Sequence, residues 1–245
     1  MTEPLYALDA YLREFAAIVV ASRSEPSSVV LDRSAFYPGG GGQPCDQGWL
    51  TVAGRRQRVL GLKREGGQVW HLLDGEPPAV GALVAAELDW ERRYACMRTH
   101  TAMHILCGVV WRDYGALVTG GNMEPLRGRM DFEFETLSGE LVQVIEGRVN
   151  VEVAAARQVR AALHSREEAF AIPDLIRTKI NLLPEHIIEV RTVEIVGLDL
   201  QADGGTHVAN TREVGAIRIP DYQSKGRINK RIYVELAPQE PPARV

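Results

Sequence analysis

The chain has 245 residues, of which 45% are hydrophobic, 24% charged and 7% aromatic, with a formal net charge of −4. That is the composition of one large globular domain or two modest ones. No apolar run is long enough to span a bilayer, so no membrane span is expected. The opening segment, MTEPLYALDAYLREF, lacks the basic start of a secretory signal. Cys45, Cys96 and Cys107 form no CxxC pair, which argues against a disulfide framework and for a reducing, cytoplasmic setting. The acidic balance does not advertise nucleic-acid binding, yet residues 54–65, 91–98 and 218–231 are locally basic. Such stretches are either solvated surface or a face that contacts phosphate.

Taken in chain order, the first 90 or so residues read as strands. SSVVLD, WLTVAG, RQRVLGLKR, QVWHLLD and ALVAAELDW are short β-rich runs separated by turns such as EGGQ and DGEPPAVG, which predicts a small barrel. Within it lies a long glycine loop, FYPGGGGQPCDQG, at 36–48. A helix follows, with Met97, Ile105, Val109 and Val110 at helical spacing and Gly115 as its stop. RGRMDFEFE alternates Met130, Phe132 and Phe134 with Arg129, Asp131, Glu133 and Glu135, as a half-buried strand does. Ser138 caps a second, amphipathic helix, RQVRAALH reads as a strand, and Ser165 and Glu168 form a capping box on a third helix. HIIEVRTVEIVGLDLQ, AIRIP and KRIYVEL are further strands. The expected fold class is α+β. A small N-terminal β-barrel domain, 1–90, precedes an α+β domain, 91–245, in which an antiparallel sheet packs against helices.

HTAMH places His100 and His104 four residues apart on the predicted helix, where two imidazoles can ligate one ion. Alone, such a pair is more often part of a half-buried surface. Thr101 follows His100, so the general base of an HExxH protease is missing. DGGTH adds Asp203 and His207 at the same spacing. Three histidines and a carboxylate suit tetrahedral Zn²⁺. The other histidines, His71, His164 and His186, show no paired spacing and are expected at the surface or in packing.

RTHTAMHIL, RMDF, DGGTHVANTREVGAIRI and SKGRINKRIYVEL, in that order, resemble the free-standing alanyl-tRNA editing proteins, AlaX, relatives of the editing domain of alanyl-tRNA synthetase. VLDRSAFYPGGGGQPCDQGWL is similar to the glycine-rich motif of that family's N-terminal barrel, so the resemblance runs from about residue 5 to 236. It implies that 91–245 is a zinc-containing editing domain and 1–90 a glycine-rich-motif barrel. The implied activity is trans-acting, ATP-independent hydrolysis of the 3′-terminal ester of tRNA(Ala) mischarged with serine or glycine. The implied zinc ligands are His100, His104, Asp203 and His207, with Asp203 standing where many members carry cysteine. A zinc ion there can activate water or position the ester, and the sequence leaves both open.

Discriminating serine from alanine demands a polar group that pairs with the substrate hydroxyl. Ser34, at a position that is threonine in many relatives, is the expected reader. Gln43 is a second polar candidate, and Gly39, Gly40, Gly41 and Gly42 let the backbone approach closely. Arg129 and Asp131 either pair with each other or approach the site. Arg218, Lys225, Arg227, Lys230 and Arg231 are expected phosphate contacts for tRNA. Neither a membrane nor an obligate protein partner is implied. Two other readings stand beside this one: a tRNA- or protein-binding module stapled by zinc without catalysis, and a metal-dependent hydrolase of another small aminoacyl ester.

Overall fold

Alternation of side chains dictates the first part of the fold, since a strand buries every second residue. The computed structural model describes residues 2–172, 175 and 188–241. Its first strands are β1 (Glu3–Pro4), β2 (Glu14–Ser24), β3 (Ser27–Leu31), β4 (Arg33–Ser34), β5 (Gly48–Val52), β6 (Arg55–Glu65), β7 (Gln68–Leu73) and β8 (Leu83–Leu88). Six of them close an antiparallel barrel in the order β2-β3-β7-β6-β5-β8, while β1 and β4 pair in parallel beside it. Closure leaves the barrel no open edge. Val19, Val29, Leu31, Phe36, Leu50, Val59 and Val84 fill its core. The sequence reading did not single out β2. Outward-facing Ile18 and Val20 are 45% and 48% exposed, so apolar residues on both faces hide the period.

The chain divides into two compact units, and the division falls inside a 25-residue helix, α1 (Trp90–Tyr114). The residues up to Gly40, Pro44–Tyr94 and the segment from Glu240 make the first unit. Ala95–Gln239 makes the second, together with three residues of the glycine loop, Gly41–Gln43.

The second unit continues with β9 (Val118–Glu124), β10 (Arg127–Glu133), α2 (Gly139–Ala154), β11 (Val159–Ser165), α3 (Arg166–Ala171), β12 (Glu189–Ile195), β13 (Asp199–Ala202), β14 (Ile217–Arg218), β15 (Tyr222–Ser224) and β16 (Asn229–Leu236). One antiparallel sheet runs β14-β16-β10-β9, with β15 also on β16, and another runs β11-β12-β13. The fold is therefore α+β, as expected from the sequence. The caps are where the sequence placed them. The Ser138 hydroxyl accepts from the Leu141 N–H, and Ser165 and Glu168 satisfy each other's backbone N–H. Val142, Ile145, Val149 and Val153 form the buried stripe of α2. On β10, Met130, Phe132 and Phe134 are buried as expected, but so is Asp131, next to a register shift. β9 and β15 were not anticipated, because glycine and polar residues give them no hydrophobic period. Among the described residues no helix is long and apolar enough to cross a membrane.

Candidate metal centre

One turn of α1 separates His100 from His104, and their ring centroids lie 5.1 Å apart. β13 ends at Ala202, and the turn that follows brings Asp203 and His207 to the same place. The His207 ring stacks on His100 at 4.3 Å and meets His104 edge-on at 4.7 Å. One ligand atom from each of His100, His104, Asp203 and His207 lies within 4.8 Å of all the others. The three imidazoles are almost wholly buried.

Hydrogen bonds on the far side of each ring fix which nitrogen faces inward. The Thr101 hydroxyl donates to Met97 O at 2.9 Å, so it accepts from the Val208 N–H and from His207 Nδ1 at 3.2 Å. Gln43 Oε1 accepts from the Thr206 N–H and from His100 Nδ1, both at 3.0 Å. Asp199 Oδ2 accepts from His104 Nδ1 at 3.1 Å and from Gln201 Nε2 at 2.6 Å. In each ring the proton is thus assigned to Nδ1, and Nε2 turns a lone pair inward. This arrangement holds a metal-ligating histidine in its tautomer and rotation.

The inward face is then rich in acceptors. His207 Nε2 stands 2.9 Å from Asp203 Oδ2, and His100 Nε2 stands 3.6 Å from Asp203 Oδ1. Two lone pairs at such a distance need a positive species between them, a proton or a cation. Burial pushes His100 well below the usual imidazole range and His207 down to about 4, which disfavours the proton. Burial would lower His104 too, but the hydrogen bond and charge of Asp199 raise it. Burial would likewise raise Asp203, but the charge of His100 and the bond to His207 hold its carboxyl well below the ordinary value. Three imidazoles that turn Nε2 inward and one carboxylate are a fitting donor set for a divalent transition ion.

The glycine loop has four consecutive residues at positive φ, from +86° at Gly39 and +137° at Gly40 to +57° at Gly41 and +87° at Gly42. Side chains rarely tolerate that backbone, which explains why all four are glycine. In the second unit, Gly41 adjoins Asp203, and Gly42 O accepts from the Met123 N–H on β9. Gln43 differs from its expected position as a substrate contact, because its carboxamide is occupied by His100 and Thr206.

Ser34 lies in the barrel unit, 2% exposed, with its hydroxyl 2.8 Å from His71 Nε2. Of the two expected places for His71, surface or packing, it occupies the second. It is fully buried, and burial lowers it to about 4, so the ring is neutral. Its Nδ1–H donates to Val29 O, its Nε2 accepts the Ser34 proton, and Ser34 Oγ accepts from the Phe36 N–H. His164 meets Thr192, and His186 lies outside the described residues.

Of the basic group, Arg218, Lys225 and Arg227 are exposed. Lys230 differs from expectation. Its buried ammonium donates to Gly226 O and Arg227 O, which closes the β15–β16 turn. Arg231 grips Asp131 with two bonds of 2.7 and 2.8 Å and holds that carboxyl below its usual range. Arg129 is a weaker partner of Asp131, at 3.5 Å. Asp131 therefore serves a strand-to-strand ion pair. The sequence reading missed the roles of Thr101, Asp199 and Thr206, which act through folding rather than spacing. Thr101 and Thr206, adjacent to His100 and His207, carried a local signal.

Residues 190–233 match the family described as threonyl and alanyl tRNA synthetase second additional domain, and residues 8–92 match class II (A) tRNA synthetases. The alanyl-tRNA editing protein AlaX-M of Saccharolobus solfataricus is 40% identical over 241 residues, covering 97% of this chain and 100% of the relative. That of Methanosarcina barkeri is 38% identical over 242 residues, covering 96% and 99%. The alanine–tRNA ligase of Pyrobaculum neutrophilum is 37% identical over 225 residues, which span 89% of this chain but 25% of the ligase. These matches cover nearly the whole chain, and the chain belongs to the AlaX-M family of alanyl-tRNA editing proteins.

Proposed function

We propose that this chain hydrolyses, in trans, the ester that joins wrongly attached serine, and glycine, to the 3′-terminal adenosine of tRNA(Ala). The observation that carries the reading is the convergence of three imidazole Nε2 atoms and one carboxylate in a buried site. The names of the full-length relatives support tRNA(Ala) as the substrate. His100, His104, Asp203 and His207 hold zinc, which when bound supplies Lewis acidity for ester hydrolysis. The chain's own residues do the selecting. The Ser34 hydroxyl donates to His71 Nε2 and accepts from the Phe36 N–H, so one lone pair remains to accept a hydrogen bond from a substrate hydroxyl. Alanine has no such hydroxyl and leaves that acceptor unmatched, which is the stronger form of discrimination. Gly39–Gly42 present backbone rather than side chains to the aminoacyl end. Gln43 orients His100, and Lys225 and Arg227 bind phosphates near the acceptor end.

The test is deacylation of Ser-tRNA(Ala), Gly-tRNA(Ala) and Ala-tRNA(Ala), each with and without chelator. Chelator-sensitive release of serine, with alanine retained, is the expected result. If none of the three is hydrolysed, the chain is a binding module and the proposal fails.

A further inference from the structure

We propose that Asp199 is a positioning residue of the metal centre, acting through His104, and that it makes His104 the strongest donor of the three histidines. This rests on reading the His100, His104, Asp203 and His207 cluster as a metal site. Neutral oxygens of Gln43 and Thr101 hold the Nδ1 atoms of His100 and His207. A carboxylate holds that of His104, at 3.1 Å, and its side chain is fully buried. An anion on the outer nitrogen raises the basicity of the inner one more than a neutral acceptor does, and it fixes the ring's rotation.

The backbone is shaped to deliver this contact. Asp199 opens β13, where its pairing with Ile195 of β12 sets the direction of the strand. Gln201, two residues on, returns to the same oxygen at 2.6 Å and blocks rotation of the carboxylate. On α1, Gly108 lies one turn beyond His104 and faces the same strand. A Cβ there would lie 3.0 Å from Asp199 Cβ and 2.9 Å from Leu198 Cγ. Gly108 is therefore the notch that lets Asp199 reach His104. The pair Asp199 and His104 also differs from Asp203 and His207. There the carboxylate faces Nε2, the ligand atom, whereas Asp199 faces the opposite nitrogen.

The experiment measures Zn²⁺ affinity by competition with a chromophoric chelator. It compares the wild-type chain, D199A, D199N, H104A and the H104A/D199A double variant, with apo-protein melting as a fold control. D199A is expected to bind zinc about 10- to 100-fold more weakly. D199N, which keeps an acceptor but loses the charge, should fall between D199A and wild type. In the H104A background, D199A should add no further loss, because Asp199 then has no ligand to position. Wild-type affinity in D199A, or an equal additional loss in the H104A background, would overturn the proposal. Should D199A fail to fold, D199N decides: weakened binding supports the role and unchanged binding refutes it. A wild-type chain without zinc affinity would instead refute the metal-centre reading itself.

Discussion

Gly205 and His100 are in contact so close that no other residue fits: a Cβ on Gly205 would lie 2.3 Å from His100 Cε1 and 2.4 Å from Nδ1. The same Cβ would lie 2.7 Å from Gln43 Oε1, the atom that orients His100. Gly205→Ala must therefore displace the ring, the carboxamide or the turn. We expect a stability cost of about 1–3 kcal/mol and zinc affinity at least about 10-fold lower. Urea unfolding and chelator competition measure the two, and wild-type values in both would remove the argument. Gly204, with open space around it, should accept alanine with little effect.

Asp203 has two duties that substitutions can separate. Its Oδ2 accepts the Gly205 N–H at 2.8 Å and faces His207 Nε2 at 2.9 Å. Asp203→Asn keeps an acceptor for the turn but removes the anion, and Asp203→Ala removes both. Both variants should lose zinc, by at least about 10-fold, since a ligand is worth no less than its outer partners. Metal analysis of chains purified without a histidine tag checks this. Full zinc occupancy in Asp203→Ala would show that three histidines suffice.

Ser34→Ala removes the hydroxyl that His71 holds as an acceptor. Serine release should fall about 10-fold or more, the worth of one hydrogen bond, while zinc stays bound. Release of glycine, which offers no hydroxyl, should change little. Parallel loss on both substrates would mean that Ser34 supports the barrel rather than reads the side chain.

His71 makes the barrel pH-sensitive. Its imidazole titrates near 6.5 when unfolded and at about 4 when buried. Between those values the unfolded chain holds the extra proton, so stability rises with pH. The contribution is complete above 6.5 and fades as pH falls toward 4, amounting to on the order of 3 kcal/mol. His100 and His207 act in the same direction, so the measurement compares wild type with His71→Gln in urea at pH 5 and pH 7. Identical pH slopes in the two chains would exclude His71 as the source.

Lys225 and Lys230 sit five residues apart and should behave oppositely. Lys225 is exposed, whereas Lys230 is 7% exposed with its ammonium on two backbone carbonyls. Lys225→Ala should weaken tRNA binding and reduce the slope of log affinity against log salt by about 0.7–0.9. Lys230→Met should cost about 1–3 kcal/mol of stability by stranding those carbonyls. Salt titrations of tRNA binding and urea unfolding distinguish them, and a salt-slope change in Lys230→Met alone would reverse the assignment.

Local chemistry made much of this protein readable. The Ser138 cap, the Ser165–Glu168 box and the i, i+4 histidine pair depend on residues within one turn, so their spacing alone announces them. Strand β2 escaped because Ile18 and Val20 face outward, and no period survives that. Asp131 pairs with Arg129 as one reading had it, but alternation did not show that Arg231 on β16 draws it into a part-buried ion pair. Lys230 was misread because charge in a sequence does not say whether an ammonium meets a phosphate or two carbonyls of its own turn.

By itself the sequence determined the α+β class, the barrel's short strands, the four residues of the candidate metal centre and the glycine run whose positive φ angles side chains rarely adopt. Tertiary structure decided what surrounds the ligands. Gln43, Asp199 and Thr101 come from a loop, a strand and the helix itself, and they lie 57, 95 and 106 residues away from the histidines they hold. Tautomer and ring orientation depend on a hydrogen-bond partner in space, and chain spacing carries no information about a partner so far along the chain.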